Sequence, residues 1–120
     1  MNDYFFNMIP REEKQRLSYI PTVPEFLAWL STEYADRPAL SDLTITYTYK
    51  EMLERVALRR GYIQKLGLPA GSQIAVLDRN SMDAVELFLA ITSAGYTALM
   101  MPAALPEPAI VGSVKRFDIA

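Results

Sequence analysis

A chain of 120 residues with 12 basic and 14 acidic side chains, a net charge of −2 and 51% apolar residues describes one packed unit, not a disordered tail or a basic nucleic-acid surface. By area scaling, folding such a chain buries roughly two-thirds of its extended surface. Cysteine and histidine are both absent, which excludes disulfides, thiolate nucleophiles, the common zinc sites and any hydrolytic triad built on an imidazole within this chain.

Residues 1–22 read as an N-terminal arm. Its start, "MNDYFFNMIPREEK", lacks the basic, apolar and small-residue succession of a secretory signal. No stretch approaches the roughly 18 apolar residues of a membrane span, so a cytoplasmic protein is expected. The arm carries the aromatics "YFF", and "PREEKQRL" is compatible with a short helix opened by Pro10.

Next, "TVPEFLAWLSTEYADRP" predicts a helix from about Val23 to Tyr34, ended before Pro38. Thr22 and Glu25 have capping-box spacing, and Phe26, Leu27, Leu30 and Tyr34 recur at helical intervals. Trp29 flanks that face and is expected to be a packing anchor. "ALSDLTITY" predicts two short strands around a turn at Asp42, without the glycine that a tight primed turn prefers.

At Thr48 the period changes from two to about 3.6. Tyr49, Met52, Leu53, Val56, Ala57, Ile63 and Leu66 would line one face of a helix stopped by Gly67, and Thr48 with Glu51 repeats the capping-box spacing. The threonine and glutamate thus start a helix directly after a strand. Pro69 and Gly71 shape a turn into Ile74–Leu77, a continuous apolar run of the kind found in strands covered on both faces.

"RNSMDAVELFLAITSAG" offers Asn80 or Ser81 as helix cap, Asp83 in the first turn and Gly95 as the stop. Ala84, Val85, Leu87, Phe88, Leu89 and Ile91 wrap beyond one stripe, so this helix is expected to be largely covered. "YTALMM" predicts a second buried strand, parallel to the first through a crossover helix. A final helix near Pro108 to Phe117, weakened at Gly112, leads into "DIA". The fold class expected is α/β, a partial parallel sheet with a crossover helix and a short N-terminal hairpin. Apolar strands with unpaired edges suggest that a larger sheet would continue.

Chemistry is sparse. Neither a GxxxxGK[ST] loop nor a GxGxxG turn occurs, and "DRNSMD" after the first core strand has no glycine to admit a phosphate. Asp78, Arg79 and Asn80 stand at the carboxyl end of a strand, where open sheets place ligands, although a polar strand exit and helix cap explains them more simply. Arg55, Arg59 and Arg60 could bind an anion, but Glu51 with Arg55 and Lys50 with Glu54 have i,i+4 spacing, so a solvated, paired face is expected. Met100 and Met101 could line an apolar pocket, with core filling as the plainer role.

From Val23 onward the chain resembles the N-terminal part of an AMP-forming, adenylate-forming ligase, the superfamily of acyl-CoA synthetases, luciferases and peptide-synthetase adenylation domains. "TYTYKEM" is similar to that family's first core motif, with Thr48, Tyr49, Glu51 and Met52 on matching places. "SAGYTALMMP" is similar to the second through Ala94 and Gly95, but Ser93 replaces a lysine, Met100 a proline, and Pro102–Ala103 the usual Asn–Pro. The resemblance implies that residues 23–120 belong to an AMP-binding domain and stop before its phosphate loop.

It also implies a parent enzyme that activates a carboxylic acid, such as a fatty acid, with ATP and magnesium, then passes the acyl group to a thiol such as coenzyme A. The catalytic, cofactor-binding and metal-binding residues of the family lie beyond these motifs, so none is assigned here, and the chain alone is expected to be an inactive scaffold whose partner is the remainder of the ligase. A freestanding assembly module, recruiting a partner or a second copy at the open sheet edge, is the alternative. A small Rossmann-type nucleotide binder has only the crossover unit in its favour.

Overall fold

A computed structural model describes residues 22–119; the arm and its Pro10 helix lie outside the described residues. Among the described residues, four helices and four strands follow one another as α1 (Val23–Glu33), β1 (Pro38–Ser41), β2 (Thr46–Thr48), α2 (Tyr49–Lys65), β3 (Gln73–Asp78), α3 (Met82–Ser93), β4 (Thr97–Pro102) and α4 (Glu107–Arg116). The order is that expected from the spacing, and the architecture is the α/β class with a small antiparallel hairpin and a parallel pair.

The first cap is half formed: Thr22 Oγ1 accepts from the Glu25 amide at 3.4 Å. The second is complete. Thr48 Oγ1 accepts from the Glu51 amide at 3.2 Å while Glu51 Oε1 accepts from the Thr48 amide at 3.2 Å, so two amides that the helix leaves unpaired are satisfied reciprocally. That lets β2 run into α2 without a loop. Ser81 is the cap of α3, its hydroxyl accepting from the Ala84 amide at 3.2 Å.

The hairpin pairs Leu40 with Tyr47 and Ser41 with Thr46, with an irregularity between Pro38 and Leu40, a position where an edge strand tolerates proline's missing N–H. Its turn dispenses with glycine because Asp42 organises it. One carboxylate oxygen accepts from the amides of Thr44 and Ile45, both at 2.7 Å, and from the Thr44 hydroxyl at 3.0 Å. These bonds, that from the Ile45 amide first, hold the Asp42 carboxyl below its ordinary range.

A depressed folded-state value means that the turn is fully stabilised above the unfolded carboxyl's pKa of about 4, and that this contribution is lost as pH falls through the lower folded value. Thermal melts taken between about pH 6 and pH 2.5 are therefore expected to decline less steeply for Asp42→Ala than for the wild type. Parallel declines would remove the carboxylate from the account.

The core lies where the helices meet the parallel pair. Leu27 of α1, Met52, Val56 and Ile63 of α2, Val76 of β3, and Ala90 and Ile91 of α3 form one buried cluster. Two members of the expected α2 face, Ala57 and Leu66, are exposed. The stripe is narrower than its apolar residues suggest, because α1 and α3 cover only the side of α2 that carries Met52, Val56 and Ile63.

β3 and β4 pair in parallel, Val76 beside Met100 and Leu77 beside Met101. Neither face is fully covered, contrary to the expectation for both strands: Val76 and Met101 are buried, whereas Leu77 and Met100 stay 47% and 43% exposed. The expectation for α3 also needs correction, since Val85 and Phe88 face outward. For the strands the reason is that α4 buries none of its residues, so it does not supply the second covering layer that a doubly buried strand requires. At the edge of β3, Gln73 forms a parallel bridge with Ile119, which is the first rung of a third strand position. Gly95, at φ +89°, turns the chain from α3 into β4 through a left-handed conformation that a side chain would strain.

Candidate functional site

The carboxyl ends of β3 and β4 open into a cleft of about 570 Å³, lined by Asp78, Arg79, Asn80, Ala84, Met100, Met101 and the Pro102–Ala104 segment. The parallel register makes this cleft: both strands end side by side, Asp78 opposite Pro102, and α3 rises from between them. The structure thus brings together the two groups singled out from the sequence, the Asp78–Asn80 exit and the methionine pair. One supplies a polar rim and the other an apolar floor.

The rim is already engaged. Asp78 Oδ1 accepts from the Arg79 amide at 2.6 Å, and Oδ2 accepts from the Ser81 hydroxyl at 3.1 Å, which itself caps α3. Asp78 therefore fixes the start of α3, and both its oxygens serve that purpose. The arrangement can seat an apolar group against Met100, Met101 and Ala84. It offers no activated nucleophile and no general base poised over the cavity.

Nor do the described residues fit a nucleotide triphosphate with its metal. The turn after β3 has no glycine to bring amides onto a phosphate, and its carboxylate would repel one. Among the described residues no group of three or more acidic, histidine or cysteine side chains could hold a metal ion.

The arginines of α2 have a different role from the solvated face expected. Arg55 Nε donates to Glu86 Oε1 at 2.7 Å and Arg59 Nε donates to Glu86 Oε2 at 2.8 Å, while Arg59 Nη2 reaches Asp83 Oδ1 at 2.6 Å. Glu86, on α3, is completely buried. Glu51 is occupied by its cap, so the Glu51–Arg55 pairing does not form. Arg55 also lies over the Tyr47 ring at 4.4 Å, and its hydrogen bond with Glu86 holds its charge on more firmly than usual.

Arg60 joins none of these contacts. The clamp grips α3 on either side of Ala84, the residue that walls the cleft, and so ties the cleft to α2 and the hairpin. Glu86 escaped the sequence reading because its neighbours Val85, Leu87 and Phe88 suggested an all-round apolar helix. Asp83 and Glu86 at i,i+3, facing Arg55 and Arg59 at i,i+4, were the available signal.

The motif residues themselves do structural work: Thr48 and Glu51 cap α2, the Ser93 hydroxyl donates to the Ala90 carbonyl at 3.1 Å, and Gly95 turns the chain. Compared with known proteins, residues 27–119 match the model of the family described as AMP-binding enzyme. A hybrid PKS-NRPS synthetase, iliA, of Neonectria sp. (strain DH2) is 33% identical over 73 residues, which is 61% of this chain and 2% of that protein.

Among solved structures, the N-terminal subdomain of Klebsiella oxytoca NpsA, in complex with 3-hydroxyanthranilyl-AMSN, superposes with a TM-score of 0.78 at 22% identity, over 83% of this chain and 26% of that one. VinN in complex with L-aspartate gives 0.77 at 20% identity, over 84% and 28%. The chain thus spans about a quarter of the solved structures it matches and a small part of the curated relative. At these identities the likeness to the solved structures is one of fold.

Proposed function

The chain belongs to the AMP-binding enzyme family, and from that premise we propose that it supplies the first strands and covering helices of an adenylation unit that activates a carboxylic acid with ATP as an acyl-adenylate. The observation that carries this reading is the family match across residues 27–119, nearly all of the described chain. In it, residues 23–120 are scaffold: the β3–β4 pair forms part of the sheet, the Arg55–Arg59–Glu86 clamp fixes α3 against α2, and the chemistry belongs to other parts of the unit.

The relatives favour amino and aryl acids over the fatty acids that a likeness to acyl-CoA synthetases suggests, since the solved neighbours carry 3-hydroxyanthranilyl-AMSN and L-aspartate. The acceptor in this reading is a thiol. Coenzyme A and a carrier-tethered thiol present the same nucleophile, and the family match supports neither over the other.

In the longest polypeptide that contains residues 1–120, ATP–pyrophosphate exchange is expected to require both magnesium and a carboxylic acid. A panel of amino, aryl and fatty acids that elicits no exchange there would overturn the reading. Residues 1–120 alone are expected to give only the no-enzyme background, because the described part holds no phosphate cradle. Carboxylate-dependent exchange by this chain alone would refute the scaffold assignment while leaving the family intact.

A further inference from the structure

The side of α2 turned away from the core carries apolar residues that no other described element covers. Leu58, Tyr62 and Leu66, spaced at i, i+4 and i+8, are all largely exposed. Beside them stands Gly61, in the interior of the helix, where glycine is a destabilising choice. No atom lies within 4 Å of the position that its Cβ would occupy, and its φ is not positive, so nothing within the described chain calls for a glycine there. Glu54 and Lys65, exposed on the same side, form no ion pair among the described residues. Lys65 only leans over the Tyr62 ring at 5.7 Å. The neighbouring charges are already engaged: Glu51 closes the cap, and Arg55 and Arg59 hold Glu86.

We propose that this side of α2 is the contact between two copies of the chain, their α2 helices packed antiparallel about a twofold axis. At 3.6 residues per turn, Glu54, Gly61, Tyr62 and Lys65 all lie within about 60° of Leu58 around the helix. Glu54 stands four positions before Leu58, and Lys65 four after Gly61. A twofold axis level with the midpoint of Leu58 and Gly61 therefore satisfies both kinds of group at once. It sets each Leu58 over the notch at Gly61 of the second copy, and each Glu54 beside Lys65 of the second copy. Parallel copies would instead bring Glu54 against Glu54 and Lys65 against Lys65, so the charges select the antiparallel arrangement. The missing side chain at Gly61 lets the two backbones approach closely, which is the use this helix has for a glycine. One helix face is smaller than the roughly 1,200 Å² of a stable interface, so the dimer is weak and forms at high concentration.

Sedimentation equilibrium of the full chain, from micromolar to near-millimolar concentration, is expected to show the mean mass climbing from that of one chain toward that of two. Glu54→Lys and Lys65→Glu, taken singly, are each expected to weaken this association about tenfold, because both charge contacts of the pair become repulsive. An equimolar mixture of the two variants is expected to regain wild-type association, since opposite charges then meet between unlike chains. Gly61→Gln fills the notch. It is expected to weaken association while raising the melting temperature, as glutamine is the better helix former, and these opposite effects separate the contact from a loss of fold. A wild-type mass fixed at one chain throughout would overturn the proposal, and so would a mixture that associates no better than its components. Association that none of the substitutions alters would also overturn it and would move the contact to the open edge of β3.

Discussion

Glu86→Ala is expected to lower the free energy of unfolding by about 3 kcal/mol, more than any other truncation of a single polar side chain among the described residues. The glutamate has no exposed surface, and each carboxylate oxygen receives a guanidinium Nε–H at under 3 Å. Removing it forfeits two charge-assisted hydrogen bonds and leaves two cations one turn apart on α2 with only the more exposed Asp83 between them as a carboxylate partner. Loss of one partner from a buried pair costs about 3–5 kcal/mol, and the lower end applies here because both arginines can turn partly into water. Their side chains are 38% and 28% exposed.

The complementary experiment separates geometry from net stability. Glu86→Leu combined with Arg55→Met and Arg59→Met is expected to fall within about 1 kcal/mol of the wild type, because well-packed apolar replacements avoid the desolvation that the ions suffer. Equilibrium unfolding in urea reads both effects. A Glu86→Ala variant within about 0.5 kcal/mol of the wild type, the range of an ordinary surface substitution, would show that the clamp is not what holds α3 to α2.

Ile91→Ala is expected to cost about 3 kcal/mol, whereas Leu58→Ala, which removes a side chain of the same composition, is expected to cost less than about 0.5 kcal/mol. Ile91 is 1% exposed and belongs to the cluster that joins α1, α2, α3 and β3, while Leu58 is 67% exposed on the outer side of α2. Truncating the isoleucine removes buried methyl groups and leaves a cavity that its close-packed neighbours can only partly refill. Truncating the leucine exposes nothing new. Similar denaturation midpoints for the two variants would mean that α3 does not pack on the parallel pair as described.

Legibility in the sequence followed the range of the interaction. Thr48 and Glu51 are three residues apart, and their capping box formed as the spacing indicated. Ser81 began α3, Gly95 ended it, and the boundaries of α1 and α2 fell within a residue or two of those read from periodicity. Asp42 marked the turn, though its spacing did not disclose that one carboxylate oxygen would replace the missing glycine by gathering three donors. The cleft was half legible: Asp78–Asn80 and Met100–Met101 were each noticed, but only the parallel register sets them opposite one another.

What the sequence determined by itself is therefore the succession of elements, their caps and the family, because caps and periodicity act across a few residues and motif order survives in the linear chain. Tertiary structure alone decided that Glu86 is the buried key between Arg55 and Arg59, and that Leu77, Met100, Val85 and Phe88 remain in the open. Those outcomes depend on contacts between groups 27 and 31 positions apart and on how much of each face a neighbouring element covers. An amphipathic pattern shows that a residue could be buried; only the packed neighbour determines whether it is.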